Sequence, residues 1–352
     1  MATTFKQLGQ NDVTNTRTLL HEAIPMTGSL LSGTYGSFRS ETNVKNFSHG
    51  MFQSVYDYPY LSSSANHIID MTMGYTTGSN NTTTHIQNAK KVQIYNQMAQ
   101  ILMGHDVSGN IQQFDRDGNI LAGGVKHKEV YFLSFSRLLV KDEIKKGTFS
   151  LTMMTGGTLG NPTTLGINGS PLVLTDLNAN TDFRVNSPAG EYGVLYSGST
   201  AQTSSAMGLI YYQAGIVVLT SSVFGTSSFA TSSYAGGMVP VKKALTGTTI
   251  QENCNFARHR IANISFNNTT ELNSTIYFCR ANHNEFNYSA NPTYLSGSRI
   301  RVKEKASDNP KSYITTVGLY SPDNELLAVA KTSEPIKKTP ANEFTLRVRL
   351  DY

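Results

Sequence analysis

The sequence is poor in the residues that mark several large classes of protein. Its 352 residues include no tryptophan, two cysteines and only 15% charged residues, against about 25% in an average soluble domain. Two cysteines are too few for a disulfide framework. The N-terminus also lacks the basic and apolar regions of a secretory signal. We therefore expect Cys254 and Cys279 to be buried thiols, with a disulfide between them as the alternative.

Long apolar runs and strong net charge are missing as well. No stretch approaches the roughly 18 apolar residues that a transmembrane helix requires, and the longest candidate, 215–219, has the length of a strand. The net charge of +5 comes from 29 basic and 24 acidic residues, which is too small to indicate a nucleic-acid partner. Pairs such as Lys90-Lys91 and Lys337-Lys338 are expected to lie on solvated faces or in turns. The sequence predicts neither membrane insertion nor nucleic-acid binding.

Glycine, serine, threonine and asparagine take the place of the missing charges. Hydrophobic residues still make up 39% of the chain and aromatic residues 10%, which is enough to build a core. A polar but uncharged composition is typical of β-rich proteins and disfavours long solvent-exposed helices. The sequence predicts a mainly β fold with a minor α component. We expect a β-sandwich-like core with one amphipathic helix and a β-rich insertion.

Helical periodicity is strongest in the segment 85–103. Apolar residues recur there at three- and four-residue spacings, and Gly104 follows where a C-terminal glycine is expected. A short helix is also predicted over 15–24, ending before Pro25. A weaker third helix is predicted around 63–72.

Strand patterns dominate the rest of the chain. Turn residues at 106–110 and 115–119 predict hairpin turns. The pattern predicts a strand over 129–140, with 148–154 as its partner. It predicts two hairpins, one of 260–266 with 274–280 and one of 312–320 with 325–330. Further strands are predicted over 299–305 and, with one solvent-exposed face, over 344–351 at the C-terminus.

The composition of the sequence predicts that the chain is divided into three parts. Residues 1–50 carry little periodicity and form an N-terminal arm, either contacting a neighbouring subunit or frayed. The segment 148–250 has only six charged residues among 103 and is predicted to be a Gly/Ser/Thr-rich β insertion. Residues 51–147 and 251–352 then form the core domain.

No motif for catalysis, a cofactor or a metal is found. The sequence lacks a P-loop, a dinucleotide-binding glycine motif, a nucleophile elbow and a zinc-protease helix. The eight histidines have no metal-binding spacing. The segment 115–119 has its glycine two positions too early for a calcium loop, so a plain turn is favoured. We expect no enzymatic activity and no cofactor or metal ion.

Two tyrosine-rich segments are the candidate interaction sites. Closely spaced aromatic residues beside proline offer a large contact area with little loss of rotamer entropy, although ordinary packing is the alternative. The candidate interface residues are Tyr56, Tyr58, Tyr60, Phe286, Tyr288 and Tyr294.

Several segments resemble structural proteins of contractile-tailed phages. The C-terminal stretch ITTVGLYSPDNELLAVAKTSEPIKK, with its return strand FTLRVRLDY, resembles a module of phage tail-fibre attachment domains. Four further segments are similar to virion structural proteins of T4-like phages, including cyanophages: SGTYGSFRSETNVKNFSHGMFQSVYDYPYLSSSANHIIDM, YNQMAQILMGHD, FSRLLVKDEIKKGTFSLTM and FNYSANPTYLSGS. Residues 155–250 carry no such resemblance.

The resemblance implies a non-enzymatic virion subunit that is assembled in the host cytoplasm in many copies. Its C-terminal module favours the baseplate or fibre-attachment region of the tail. The partners would be other phage structural proteins, with a homo-oligomer or a multi-copy hetero-assembly as the form. The alternatives are a head–tail connector or capsid decoration protein, and a receptor-binding tail-fibre adhesin. The resemblance transfers no binding residues, because its motifs mark a fold.

Overall fold

The computed structural model is mainly β, with 46% of residues in strands and 16% in helices, which confirms the predicted fold class. It describes residues 5–27, 41–77, 86–120, 124–155, 170–201, 205–224, 228–230, 238–240, 245, 247–289, 292–296, 299–300, 305 and 307–352.

The helices and strands are named in chain order. The helices are Asn88–Leu102 (α1), Arg137–Val140 (α2) and Ile250–Arg258 (α3). The strands are Val13–Thr27 (β1), Val44–Asn46 (β2), Gln53–Tyr56 (β3), His67–Tyr75 (β4), Glu129–Phe135 (β5), Glu143–Ile144 (β6), Ser150–Thr155 (β7), Ser170–Thr175 (β8), Tyr192–Ser197 (β9), Ala206–Tyr211 (β10), Ile216–Thr220 (β11), Ser228–Ala230 (β12), Met238–Pro240 (β13), Ile261–Ala281 (β14), Leu295–Ser296 (β15), Arg299–Ile300 (β16), Ser312–Tyr320 (β17), Leu326–Lys338 (β18) and Phe344–Asp351 (β19).

The chain divides into two compact units. The central unit is Leu20–Thr270, and the terminal unit combines Met1–Leu19 with Glu271–Tyr352. These limits do not follow the predicted domain boundaries. Strands of the predicted insertion are hydrogen-bonded to strands of the predicted core, since β11 pairs with β5 and β7 pairs with β14.

A large antiparallel sheet organises the central unit. Its strand order is β7-β8-β9-β10-β11-β5-β4-β3-β2, and the first part of β14 pairs with β7. Helices α1 and α3 both pack on β4. The apolar core of this unit includes Met71, Ile94, Leu102, Phe132 and Cys254. Consecutive residues of β5 and β9–β11 are buried, so these strands are covered on both faces of the sheet.

Helix α1 confirms the strongest helix prediction, although its buried face differs from the predicted one. Gly104 follows the helix with a positive φ of 79°, and its N–H donates to Ala99 O, as a C-terminal glycine does. The buried positions are Lys91, Ile94, Tyr95, Ala99 and Leu102. Ile86 and Ile101 belong to the apolar pattern of the segment 85–103, but both are exposed. His85 lies outside the described residues.

The other two helix predictions are wrong. Residues 15–24 belong to strand β1, which lies at the end of the strand order beside β14. Leu19 and Leu20 are exposed, so they give the segment no buried helical face. Pro25 is compatible with a strand in this outer position. The segment 63–72 leads into β4, whose backbone pairs with β3 and β5.

Long-range pairing also changes several strand predictions. The predicted strand 129–140 ends at Phe135 and continues as the short helix α2. Its partners are β4 and β11, whereas 150–155 pairs with β14 and β8. The predicted hairpin of 260–266 with 274–280 is instead the single strand β14, because its middle residues Asn268 and Thr269 pair with β6. Of 299–305, residues 299–300 form β16, and 301–304 lie outside the described residues.

The local predictions near the C-terminus are confirmed. β17 and β18 form the predicted hairpin around the turn 321–324, where Asn324 has a positive φ of 65°. β19 covers the predicted range, and its exposed residues alternate with half-buried or buried ones. The turn at 106–110 also forms, with Asp106 N–H donating to Asn110 O.

Candidate interaction surfaces

The first tyrosine cluster is a loop between two sheet strands. The Tyr56 ring lies 6.5 Å from the Tyr60 ring and 5.6 Å from the His67 ring, and Tyr58 and Tyr60 are exposed. Asp57 closes the loop, since it accepts hydrogen bonds from Asn66 N at 2.6 Å and Asn66 Nδ2 at 2.8 Å. The structure therefore brings Tyr56 and Tyr60 together on a braced loop.

A serine, an aspartate and a histidine meet beside this loop, although their order differs from that of a hydrolase. Ser54 Oγ donates to Asp70, and His67 Nε2 lies 2.8 Å from Asp70 Oδ1. Burial by itself would raise the pKa of Asp70, but these hydrogen bonds from His67 and Ser54 lower it. In a catalytic triad the histidine stands between serine and carboxylate and accepts the serine proton. Here the carboxylate stands in the middle, so the arrangement fixes β3 against β4 and does not activate Ser54.

The second aromatic cluster lies in the terminal unit. Phe286 and Tyr288 are exposed, and Phe286 has a positive φ of 55°. Tyr294 is half-buried in a single 3-10 turn, Pro292–Tyr294. The six candidate residues thus belong to two different units, and their role in an interface stays a prediction.

Lys338 anchors the loop that carries Phe286 and Tyr288. Its ammonium group is buried and donates to Asn287 Oδ1 at 2.8 Å, to Thr339 O at 2.9 Å and to His283 O at 3.2 Å. Ser312 Oγ also donates to Phe286 O. The expectation that Lys338 is solvated is wrong, because three acceptors replace its water shell.

Lys91 is a second lysine whose predicted exposure is wrong. It is fully buried on α1, and its ammonium group donates to Leu245 O and Thr248 O, both at 2.6 Å. Burial lowers the pKa of Lys91 to about 8, although Glu252 works in the opposite direction. Lys91 therefore ties α1 to the segment that precedes α3.

Helix α3 carries a polar cluster that sequence reasoning missed. Arg258 Nη2 lies 2.6 Å from Glu41 Oε1, and His259 Nε2 lies 3.0 Å from the same oxygen. Partial burial would raise the pKa of Glu41, but hydrogen bonds from His259 and Arg258 lower it to about 2. The capping box at the start of α3, in which Thr249 and Glu252 cap each other, was the sequence signal for this helix.

Replacing Glu41 by glutamine should lower the free energy of unfolding by about 2 kcal/mol. Breaking a fully buried ion pair costs about 3–5 kcal/mol, and the half-exposed position of Glu41 reduces that figure through solvent screening. Urea unfolding of both proteins measures the difference. Glu334→Gln, at an exposed position, is the matched control and should change stability by less than about 0.5 kcal/mol. An equal effect of both variants would contradict a role for the Arg258 pair.

His127 gives the central unit an acid-sensitive group. Burial, with a smaller effect from Arg116, lowers the pKa of His127 from 6.5 to about 4. A lowered folded-state pKa stabilises the protein above pH 6.5, and this stabilisation is lost as the pH falls through 4. Asp176 acts in the opposite direction, because burial raises its pKa from 3.8 to about 6. The two groups therefore oppose each other between pH 4 and pH 6.

The His127→Phe variant separates these two effects. Relative to the wild type, it should gain about 3 kcal/mol in free energy of unfolding between pH 7 and pH 4, because each pKa unit corresponds to about 1.4 kcal/mol. The contribution of Asp176 is present in both proteins and cancels from this difference. Urea unfolding at several pH values measures it. A difference that stays constant with pH would show that His127 titrates normally in the folded state.

Both cysteines are free, which excludes a disulfide between them. Cys254 is buried as expected, whereas Cys279 is only partly buried. Burial raises the pKa of Cys254 to about 12, and its Sγ donates to Met71 O. This thiol is therefore held as a packing group on α3.

Among the described residues, no group of three or more His, Cys, Asp or Glu side chains could hold a metal ion. In the same ranges, every helix is too short or too polar to cross a membrane.

Comparison of the chain with protein-family models, curated proteins and solved structures gives no match.

Proposed function

We propose that this chain is a non-enzymatic structural subunit of a contractile phage tail, located in the baseplate or its fibre-attachment region. The observation that carries the proposal is the C-terminal hairpin. The segment that resembles tail-fibre attachment modules folds as the β17–β18 hairpin, and the strand that follows it, β19, pairs with β14.

The proposed mechanism is docking against neighbouring subunits. The loop with Tyr58 and Tyr60 is closed by Asp57, and the loop with Phe286 and Tyr288 is held by Lys338. Aromatic side chains on braced loops lose little conformational entropy on binding. Such loops favour assembly with other proteins over chemistry on a small molecule.

Immunogold labelling of intact particles tests the location. The antibody is raised against the turn 106–110, where Val107 is fully exposed, and is applied to particles from a culture whose phage genome encodes the chain. Label at the distal end of the tail is the expected result. Label over the head or neck would contradict the proposal and favour a connector or decoration protein.

Copy number gives an independent measurement. Quantitative mass spectrometry of purified particles should find the chain in a low multiple of six, the stoichiometry that a baseplate implies. Hundreds of copies would favour capsid decoration. Absence of the chain from purified particles would contradict every virion assignment.

Alanine substitutions test the first aromatic cluster as an interface. The double variant with Tyr58→Ala and Tyr60→Ala should reduce incorporation into particles about tenfold or more, because buried interface tyrosines contribute about 1–2 kcal/mol each. Val107→Ala is the control, since its side chain is exposed and lies in neither aromatic cluster. Incorporation is measured by immunoblot of purified particles. Equal incorporation of all three proteins would remove these tyrosines from the interface.

A further inference from the structure

The terminal unit has almost no apolar core. Among its described residues, the buried apolar side chains are Ile276, Ala281 and Val348, whereas the contiguous apolar core of the chain consists of central-unit residues. A unit of this size normally buries well over half of the surface that its unfolded chain exposes. Its strands are therefore short of the apolar contacts that would stabilise them.

The β17–β18 hairpin shows this most clearly. It forms a two-stranded sheet of its own, and only Ser312 and Lys338, both at its base, are buried. Its base is nevertheless fixed, through the hydrogen bonds of Lys338 and of Ser312 to the 283–287 loop. An isolated two-stranded hairpin is only marginally stable in water. A long hairpin on a fixed base is suited to packing against a further surface.

One face of this hairpin is apolar, and Phe5, which is 39% exposed, lies against it with its ring centroid 4.5 Å from that of Tyr320. Gly318 pairs with Val329, and Tyr320 pairs with Leu326. The Tyr320 ring and the Leu326 side chain lean over Gly318, where an added Cβ would lie only 2.9 Å from the ring. The side chains of Tyr320, Leu326 and Val329 are 44%, 52% and 52% exposed. We call this surface, formed by Gly318, Tyr320, Leu326 and Val329, the hairpin face.

Charges of opposite sign lie at the two ends of the hairpin. Asp323 and Glu325 are exposed at the tip, whereas Lys331 and Lys337 are exposed towards the base. None of these four residues takes part in the ion pairs found among the described residues. A second hairpin in the opposite direction would place each acidic tip near the basic part of its neighbour.

We propose that the hairpin face binds the hairpin face of a second copy of this chain, antiparallel and around a two-fold axis. The apolar side chains of the two copies pack together, and the Glu325 carboxylate of each copy lies beside the Lys331 ammonium of the other. Such an interface is self-complementary, because each contact occurs twice. The proposal deepens the proposed function by naming a surface and a partner. Its test uses purified protein, so either proposal can fail while the other stands.

The size of the hairpin sets the expected affinity. β18 has 13 residues, which span roughly 43 Å at about 3.3 Å per residue. Because Glu325 lies beside Lys331 of the other copy, the two-fold axis passes near residue 328, and the two hairpins overlap over about ten residues, or roughly 33 Å. With a width of about 12 Å, the interface buries about 800 Å² in total, which is below the size of most specific complexes. Sedimentation velocity of the full chain from about 1 to about 200 μM should therefore show a weak monomer–dimer equilibrium with a Kd on the order of 100 μM.

A single substitution on the hairpin face should abolish the dimer. Val329→Glu places two like charges at the centre of the two-fold interface and should raise the Kd about 100-fold or more. Val185→Glu is the matched control, because Val185 is exposed on the central unit, and it should leave the Kd within about twofold. Circular dichroism and thermal unfolding of each variant confirm that it remains folded.

Charge exchange tests the antiparallel arrangement. Glu325→Lys and Lys331→Glu should each raise the Kd about tenfold, because each variant places like charges opposite one another. Mixing these two variants should restore dimers, since every contact in the mixed dimer again joins opposite charges. A wild-type chain that stays monomeric at the highest concentration would overturn the proposal. A Val329→Glu variant that dimerises normally would also overturn it. The same holds if mixing the Glu325→Lys and Lys331→Glu variants produces no more dimer than either variant alone.

Discussion

Replacing Val218 by aspartate is expected to lower the free energy of unfolding by at least about 4 kcal/mol, because an unpaired carboxylate is placed in a closed apolar core. Val218 is fully buried on β11, where it pairs with Leu209 on one side and Phe132 on the other. The loss is a large part of the roughly 5–15 kcal/mol that stabilises a typical domain. We expect little soluble protein from this variant.

The milder variant Val218→Ala keeps the effect measurable. It should cost about 2–3 kcal/mol, from the lost apolar burial and the cavity that remains. Hydrogen exchange should show reduced protection in β4 and α1 as well as in β10 and β11, since β11 is joined to β4 through β5. Val173→Asp, on an exposed position of β8, is the control and should cost less than about 1 kcal/mol.

This experiment also tests the predicted independence of residues 148–250. An autonomous insertion domain would lose protection alone, and β4 with α1 would stay protected. Loss of protection on both sides of β5 is expected instead, because one hydrogen-bonded strand order crosses the predicted boundary.

The Gly74→Ala substitution is expected to cost about 3 kcal/mol, at the upper end of the range for overpacking a core. Gly74 lies on β4 where α1 crosses the sheet. An added Cβ would lie 2.7 Å from Lys91 O and 2.8 Å from Tyr95 N. Both atoms are helix backbone, so the methyl group can be accommodated only if α1 moves away from β4. Thermal and urea unfolding measure the loss.

Gly9→Ala is the matched control for this substitution. An added Cβ at Gly9 would have its nearest neighbour, the Asp12 carboxylate oxygen, at 3.4 Å, which is an ordinary contact. Its effect should be less than about 0.5 kcal/mol. Equal stability of the Gly74→Ala variant and the wild type would show that α1 can shift away from β4 without cost.

Elements with a strong local pattern were predictable from the sequence. Helix α1 follows a run of three- and four-residue apolar spacings and ends at a glycine. The β17–β18 hairpin follows from alternating strands around the turn 321–324, and β19 follows from its apolar alternation. The wrong predictions concern segments whose local composition conflicts with their pairing in the fold. The segment 15–24 has a helix-compatible composition, and 267–273 has a turn composition, but each is extended by hydrogen bonds with distant strands.

The candidate sites also combine features that are visible in the local sequence with features that depend on distant residues. The sequence located the two aromatic clusters, because closely spaced tyrosines are visible along the chain. It did not reveal that Asp57 and Lys338 brace them, nor that Glu41, Arg258 and His259 meet, because those partners are far apart in sequence. The capping box at Thr249 was a visible signal for α3, but the burial of Arg258 on that helix was not visible.

Local patterns were sufficient to predict the mainly β fold, the position of α1 and the C-terminal hairpin, because side-chain periodicity and turn residues act on the local backbone. The strand order, the continuity of β14 and the burial of Lys91 and Lys338 depend instead on contacts between segments that are far apart in the sequence. The ammonium group of Lys91 donates hydrogen bonds to carbonyl groups 154 and 157 residues away, and that of Lys338 donates to acceptors that include groups 51 and 55 residues away. A lysine can be buried where the fold places hydrogen-bond acceptors around its ammonium group. The residues next to the lysine in the sequence do not show where those acceptors will be.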